Sequence, residues 1–120
     1  GEQIRNWTYV DDIVSGTIAT AEKINDGTSV NLGTMERIKV KDCADQVIGA
    51  LNPGAKIKLL TDKPTGPLNR VASNALAKEL LGWEPKTSFQ TGLQKTIQWY
   101  IDSKTTEQAS ADLTRKLVGR

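Results

Sequence analysis

Residues 67–100 read PLNRVASNALAKELLGWEPKTSFQTGLQKTIQWY and predict two helices separated by a sharp stop. Ser73 is suited to cap the first helix, because its hydroxyl can accept a bond from an unpaired N–H of the first turn. Gly82 stands where helices end in the left-handed conformation, and Pro85 prevents the helix from continuing. Ser88 is placed to cap the second helix. The apolar positions predict one stripe on each helix: Leu76, Ala77, Leu80 and Leu81 on the first, and Phe89, Leu93, Ile97, Tyr100 and Ile101 on the second.

The rest of the chain predicts strands alternating with helices. Content rich in β-branched, aromatic and other apolar residues predicts strands at Ile4–Val10, Thr28–Leu32 and Lys56–Leu60. One helix is expected to be capped by Asp11 or Asp12, with an apolar face of Val14, Ile18, Ala21 and Ile24. Another is expected over Val40–Leu51, poorly capped by Lys39. The alternation favours an α/β fold with about four helices and three short strands.

Composition excludes several classes of protein. The chain has 120 residues, one domain's worth, with a net charge of +2 and interspersed charges that do not suggest a nucleic-acid-binding face. One Cys and no His exclude an intrachain disulfide and a Cys/His metal site. No apolar run reaches the roughly 20 residues of a membrane span, and no signal peptide is visible, so we expect a cytoplasmic protein. The start at Gly1, without Met, suggests a fragment or a processed chain.

Three stretches in this order resemble one protein family: Gly1–Val14 (GEQIRNWTYVDDIV), Val30–Ile48 (VNLGTMERIKVKDCADQVI) and Gly66–Tyr100. They resemble the C-terminal part of the extended short-chain dehydrogenases, the NAD-dependent nucleotide-sugar epimerases and dehydratases. Within that family the third stretch looks closest to the nucleotide-diphosphate-sugar epimerases, including the GDP-mannose 3,5-epimerase type. The resemblance covers about residues 1–103, which would form the substrate-binding region. Residues 104–120 are expected to be a polar tail or a weak extra helix carrying Leu113, Leu117 and Val118.

The resemblance implies a division of labour within a longer protein. In the family an N-terminal Rossmann half binds NAD, a Tyr-x-x-x-Lys pair transfers the proton, and the C-terminal part closes over the nucleotide-diphosphate sugar. Arg5 matches the arginine of the family's Q-x-R-x-(aromatic) motif, and Arg70 matches the arginine ahead of the penultimate helix. Both family positions approach phosphate groups. Asn31 matches the asparagine of the family's N-[IL]-G strand, on the substrate side. The sequence departs from the family at Ser73 and Asn74, where many members have Asp.

Each of these residues also has a purely structural interpretation. Arg5 and Arg70 could be surface charges, and Asn31 could simply end a strand. Asp11 and Asp12 are better explained as a helix cap and a partner of the helix dipole than as a catalytic carboxylate pair. Cys43 is expected to be a small buried residue rather than a nucleophile. Large apolar side chains usually anchor a core, which is the role we expect for the three tryptophans, Trp7, Trp83 and Trp99.

The catalytic and cofactor-binding parts are not found in this sequence. No two glycines are separated by a single residue, so the G-x-G-x-x-G fingerprint that brings backbone amides against a pyrophosphate is missing. Tyr100 and Lys104 have the Tyr-x-x-x-Lys spacing, but Tyr100 continues an apolar stripe and Lys104 stands at the helix end. We therefore interpret them as an outer helix position and a solvated cation, and we assign no catalytic, cofactor-binding or metal-binding residue.

Two hypotheses of function follow. In the first, the chain is the nucleotide-sugar-binding part of an NAD-dependent epimerase or dehydratase, is inactive alone, and has the missing Rossmann half and the nucleotide-diphosphate sugar as partners. In the second, it is a free-standing protein-interaction or oligomerisation module derived from that fold. Three short strands leave open edges, so we expect a homo-oligomer. Nucleic acid and membranes are not expected partners.

Overall fold

A computed structural model of the chain describes the backbone of residues 1–118 and the side chains of residues 1–112. The fold is α/β, as predicted, and a bilayer span would require a longer and more apolar helix than any of those described. In chain order the elements are β1 (Ile4–Arg5), α1 (Val10–Lys23), β2 (Ile38–Lys39), α2 (Val40–Leu51), β3 (Asn69–Arg70), α3 (Ala75–Leu81), α4 (Phe89–Ser103) and α5 (Thr106–Val118).

The strands form one small sheet in the order β2–β1–β3. Strand β1 is antiparallel to β2 and parallel to β3. An additional bond from the N–H of Ile4 to the carbonyl of Leu68, 2.7 Å long, joins β1 to the residues just before β3. The register is fixed by four pairs: Ile4 with Lys39, Arg5 with Ile38, Ile4 with Asn69, and Arg5 with Arg70.

Two of the three predicted strands are wrong. Of Ile4–Val10 only the first two residues form a strand, and Val10 already opens α1. Neither Thr28–Leu32 nor Lys56–Leu60 has a strand partner within residues 1–118. β-branched content measures how well a segment fits a half-buried pleated surface, and that surface must come from elsewhere in the fold. The strands β2 and β3 have two residues each, too few to give a pattern.

The core lies between α1, α3 and the segment that follows α1. Its buried side chains are Ala77, Leu81 and Trp83, and Ala19, Ile24, Val30 and Leu32 pack against them. Gly16 permits this contact, because a Cβ there would stand 2.8 Å from Leu32 and 2.9 Å from Trp83. The predicted strand Thr28–Leu32 thus contributes Val30 and Leu32 to the core without pairing in the sheet.

The helix ends follow the sequence closely. Gly82 closes α3 with a φ of +66°, and the hydroxyl of Ser88 accepts a 3.2 Å bond from an N–H of the first turn of α4. The predicted cap of α3 is displaced by one residue, because Asn74 holds the N-cap position while the Ser73 hydroxyl accepts the first helical N–H at 3.3 Å. Both serine hydroxyls therefore bind backbone N–H groups, as expected.

Helices α2 and α5 agree with the predicted positions. Helix α2 occupies Val40–Leu51, and its N-cap Lys39 provides no side-chain bond. For the last stretch of the chain, the sequence predicts either a polar tail or a weak extra helix, and the structure shows the helix, α5. The side chains of Leu113, Leu117 and Val118 and the whole of residues 119–120 lie outside what the structure describes.

Several predicted apolar stripes do not face the core. Val14 and Ile18 on α1 are 50% and 54% exposed. Of the three tryptophans only Trp83 is buried, whereas Trp7 and Trp99 are 41% and 62% exposed, so the prediction of three core anchors is wrong for two of them. The helix pair that follows β3 also carries exposed stripe residues, namely Leu76, Leu80, Tyr100 and Ile101. Helical spacing shows which residues share a face but does not show what covers that face.

Candidate functional site

The sheet places two arginines side by side. Arg5 on β1 and Arg70 on β3 are register partners in a parallel pair, and neighbouring strands lie about 4.8 Å apart. Register partners project to the same face of a sheet. The two cations, distant in the sequence, therefore stand next to each other on one face.

The Arg5 side chain is held at one end. Its Nη1 donates to the carbonyl of Ile4 at 2.7 Å and to the carbonyl of Pro67 at 3.0 Å. A guanidinium carries five N–H donors, so these two bonds leave the donors on Nε and Nη2. Those two nitrogens form a fork that can give two parallel bonds to a phosphate or carboxylate. Arg70 is exposed, and its side chain makes no hydrogen bond to the residues described.

No carboxylate neutralises this pair. The ion pairs that join two described side chains all use a lysine, and neither Arg5 nor Arg70 lies within ion-pair distance of a described acidic group. Like charges directly opposite one another in a sheet are destabilising. The arrangement thus costs stability and leaves a concentrated positive charge facing solvent, which is suited to an anion.

Asn31 lies apart from the arginine pair. It is exposed, belongs to the segment after α1, and makes no hydrogen bond within the described part of the chain. Gly33, two residues later, lies against the side chain of Asn6, which follows Arg5. The structure brings Arg5 and Arg70 together and does not place Asn31 in contact with either.

An apolar cavity of about 220 Å³ adjoins β1 on the side of α4. It is lined by Trp7, Thr8, Tyr9, Cys43, Ser88, Phe89, Gly92, Leu93 and Thr96. Cys43 is partly exposed there rather than fully buried as predicted, and desolvation raises the pKa of its thiol. A raised pKa disfavours the thiolate, which agrees with the prediction that Cys43 is not a nucleophile.

Two carboxylates position the start of α4, a role that the sequence analysis did not predict for Asp12, which it placed at the start of α1, or for Glu36, which it did not single out. Asp12 is only 6% exposed, and its carboxylate accepts the N–H of Lys86 at 3.1 Å and of Thr87 at 2.9 Å. Glu36 accepts the N–H of Phe89 at 2.8 Å. Residues 82–88, which we call the connector, join α3 to α4 and belong to no described strand. Their N–H groups therefore need another acceptor, and this need was the signal in the sequence for an acidic side chain.

The expectation that Asp11 or Asp12 caps α1 is wrong. Tyr9 holds the N-cap position and makes no side-chain bond, while both acids lie inside the first helical turn. Their position still suits the helix dipole, which favours negative charge at the N-terminus. Asp12 then uses its carboxylate on the connector before α4 rather than on its own helix.

The Tyr-x-x-x-Lys spacing of Tyr100 and Lys104 lies at the end of α4. Tyr100 is 43% exposed, and Lys104, expected to be solvated, forms a 3.0 Å ion pair with Asp112 of α5. The fingerprint glycines are missing from the sequence, and among residues 1–118 the glycines with positive φ are Gly27, Gly66 and Gly82, of which the last ends a helix instead of opening one.

Comparisons with known proteins agree with this architecture. The sequence model for GDP-mannose 4,6 dehydratase matches residues 1–96. The dTDP-glucose 4,6-dehydratase of Escherichia coli is 33% identical over 116 residues, covering 87% of this chain and 32% of that enzyme. UDP-glucuronic acid decarboxylase 3 of Arabidopsis thaliana is 37% identical over 93 residues, covering 78% of this chain and 27% of the relative.

Solved structures give the same class of fold. UDP-glucuronic acid 4-epimerase from Bacillus cereus, determined with UDP-glucuronic acid and NAD, superposes with a TM-score of 0.73 at 27% identity, over 87% of this chain and 34% of that one. UDP-glucose 4-epimerase from Thermotoga maritima, determined with UDP-glucose, gives 0.72 at 29% identity over 86% and 33%. The chain spans about a third of the length of these relatives.

The fold is thus that of part of a sugar-nucleotide epimerase or dehydratase. The chain belongs to the GDP-mannose 4,6 dehydratase family, among the NAD-dependent epimerases and dehydratases of the extended short-chain dehydrogenases.

Proposed function

We propose that this chain is the nucleotide-diphosphate-sugar-binding part of an NAD-dependent sugar epimerase or dehydratase. Arg5 and Arg70 hold the diphosphate, and Asn31 contributes on the substrate side through its match to the family motif. The proposal does not assign NAD binding or proton transfer to this chain, which is therefore catalytically incomplete by itself. Those steps fall to an N-terminal Rossmann half, which brings NAD to the whole enzyme. We keep the cytoplasm as the expected location.

One observation carries the proposal: two arginines are paired in register with no carboxylate beside them. A purely structural surface has no reason to keep such a like-charge contact, because it is unfavourable without an anion. A diphosphate supplies the missing negative charge on several oxygens. Guanidinium groups suit those oxygens better than ammonium groups, because they can donate two parallel bonds.

The relatives support the same ligand class. UDP-glucuronic acid 4-epimerase and UDP-glucose 4-epimerase were each determined with a UDP-sugar, and the former also with NAD. Conversion of a sugar at one carbon, an isomerase activity, is the reaction named for both. The chain spans only about a third of these enzymes, so NAD and isomerase chemistry are proposed for the longer protein.

Exposed apolar residues support a protein partner. Val10, Val14 and Ile18 follow one another at four-residue spacing on α1 and are 60%, 50% and 54% exposed. Trp99 lies across a groove from Val10 and is 62% exposed. We define Val10, Val14, Ile18 and Trp99 as the α1 face and propose that the Rossmann half covers it. When that half is absent, a second copy of the chain covers the α1 face instead.

The test is a titration of the chain with inorganic pyrophosphate at low ionic strength, followed by NMR. Pyrophosphate is chosen because the base and sugar of the ligand are not assigned. We expect binding in the millimolar range, about −4 kcal/mol, because the other wall of the cleft is missing. Arg5→Ala and Arg70→Ala should each weaken it by roughly tenfold or more, as expected for a lost charge-assisted contact of about 1.5–3 kcal/mol.

A matched control separates site from bulk charge. Arg37→Ala removes the same charge from an exposed position just before β2, outside the Arg5–Arg70 pair. It should weaken pyrophosphate binding less than Arg5→Ala or Arg70→Ala does, since it removes only a long-range attraction, and the remaining effect should shrink when about 0.1 M salt is added. If all three variants bind pyrophosphate equally, Arg5 and Arg70 are surface charges and the assignment of the site is wrong.

The alternative, a free-standing interaction module, rests on the exposed α1 face alone. It predicts self-association without any affinity for pyrophosphate. The titration therefore distinguishes the two functions, because only the first needs the arginine pair.

A further inference from the structure

We infer that the turn at Gly66 and Pro67 is a positioning element that orients the Arg5 guanidinium toward a bound phosphate. The inference rests on the proposed function, because it concerns the anion that the arginine pair binds. It assigns a role to a loop with no ligand contact of its own.

The loop is tied at three points to residues 3–5, that is, to β1 and the residue before it. Besides the bond from Arg5 to the Pro67 carbonyl, the amide of Gln3 donates to the carbonyl of Thr65 at 3.3 Å. The third tie is the 2.7 Å bond from the Ile4 N–H to the Leu68 carbonyl. The consecutive residues Gln3, Ile4 and Arg5 thus hold the loop on both sides of Gly66.

Gly66 gives this loop its shape. Its φ is +66°, a conformation that residues with a Cβ rarely adopt, and no heavy atom lies within 4 Å of the place a Cβ would take. The requirement for glycine is therefore conformational rather than steric. The carbonyl presented immediately after this turn is that of Pro67, which accepts the Nη1 bond of Arg5.

The bond from Arg5 to the Pro67 carbonyl reduces the effect of charge repulsion between Arg5 and Arg70. Arg70 is the register partner of Arg5 on β3. Because the two cations repel each other, an Arg5 guanidinium without other partners would turn away from Arg70. Two carbonyl oxygens, those of Ile4 and Pro67, offset the repulsion with their partial negative charge and fix Nη1. The donors on Nε and Nη2 then remain available, on a guanidinium that is already ordered for a phosphate. Ordering a side chain before binding removes that entropy loss from the binding step.

The main test compares Gly66→Ala with Gly27→Ala. Gly27 also has a positive φ, +82°, with nothing within 4 Å of a Cβ, and it lies in the turn after α1, away from Arg5. Both substitutions impose similar backbone strain, so similar losses in urea stability are expected. Only Gly66→Ala should weaken pyrophosphate binding, by about two- to tenfold, the equivalent of freeing one long side chain. Gly66→Asn should recover part of the loss, since Asn tolerates this conformation.

NMR of the Arg5 guanidinium tests the two bonds to Nη1 directly, without a ligand. With Nη1 held by two carbonyls, rotation of the Arg5 guanidinium is slow and its Nη1 and Nη2 protons should give separate NMR signals. In Gly66→Ala these signals should merge, and in Gly27→Ala they should stay apart. Gln3→Ala, which removes the tie to Thr65 without backbone strain, should shift them in the same direction to a smaller extent.

Arg5→Gln separates failure of the inference from failure of the proposed function. If Arg5→Gln binds pyrophosphate as the wild type does, the proposed function is wrong and the inference falls with it. If Arg5→Gln weakens pyrophosphate binding while Gly66→Ala and Gly27→Ala bind pyrophosphate equally well, the arginine site is supported and the positioning role of the Gly66 turn is refuted. Merged Arg5 signals in the wild type would refute it as well.

Discussion

Replacing Asp12 by Ala should destabilise the chain by about 2–4 kcal/mol. Its carboxylate, 6% exposed, accepts two backbone bonds, from Lys86 at 3.1 Å and Thr87 at 2.9 Å. A bond to a charged group contributes about 1.5–3 kcal/mol. The full loss of two such bonds would exceed the loss of stability expected here. The expected loss is smaller because Lys86 is exposed and Thr87 is half-buried, so water can partly satisfy the N–H groups freed by the substitution. Asp12→Asn keeps one acceptor oxygen and should lose about half as much.

Asp11→Ala is the matched control. Asp11 stands one residue earlier in the same helical turn, is exposed, and makes no bond to the connector. Both variants lose a favourable interaction with the helix dipole, worth about 0.3–1 kcal/mol. The difference between them therefore isolates the bonds that join α1 to the residues before α4.

The assay is urea unfolding followed by tryptophan fluorescence, because Trp83 is buried in the core and donates its indole N–H to Ser15 at 3.0 Å. With a slope of about 1.5 kcal/mol per molar urea, a loss of 3 kcal/mol lowers the midpoint by about 2 M. Equal midpoints for Asp12→Ala and Asp11→Ala would show that the buried carboxylate does not hold the connector, and the reasoning would be refuted.

Three further outcomes concern the chain as a whole. Light scattering at tens of micromolar should give the wild type a molar mass above that of one chain. Ile18→Lys on the α1 face should reduce that mass. A wild-type mass equal to one chain would contradict the proposed association. Cys43 should be alkylated more slowly in the folded than in the urea-unfolded chain at neutral pH, because partial burial raises its pKa and less thiolate is present, with the rate rising at higher pH; equal rates would argue against the raised pKa. Calorimetric titration with NAD should give no heat of specific binding, because the glycine fingerprint is missing; a low micromolar dissociation constant, about −8 kcal/mol, would overturn this.

Features that depend on a few consecutive residues could be predicted well. The left-handed end of α3 at Gly82 and the cap of α4 at Ser88 follow from local backbone chemistry, and both are confirmed. The bounds of α2 were also predictable, because twelve residues give a full helical pattern. Two-residue strands give no such pattern, which is why β2 and β3 were not found.

Burial was harder to predict than periodicity. Trp7, Trp99, Val14 and Ile18 belong to well-formed apolar patterns and are nevertheless exposed. Periodicity assigns side chains to a face, whereas burial needs a second surface against that face. For the α1 face no such surface lies within the residues described. The same limit explains Asp12, whose acceptor role depends on a connector far along the chain.

The sequence by itself determined the family, the left-handed end of α3, the cap of α4, and the identity of Arg5 and Arg70 as candidate phosphate ligands, because these depend on short motifs and local conformation. Only the tertiary structure decided that the two arginines are register partners, that no carboxylate of residues 1–112 pairs with them, and that the Pro67 carbonyl holds one of them. Strand register is set by hydrogen bonds between distant segments, and a two-residue strand carries no alternation from which to read it.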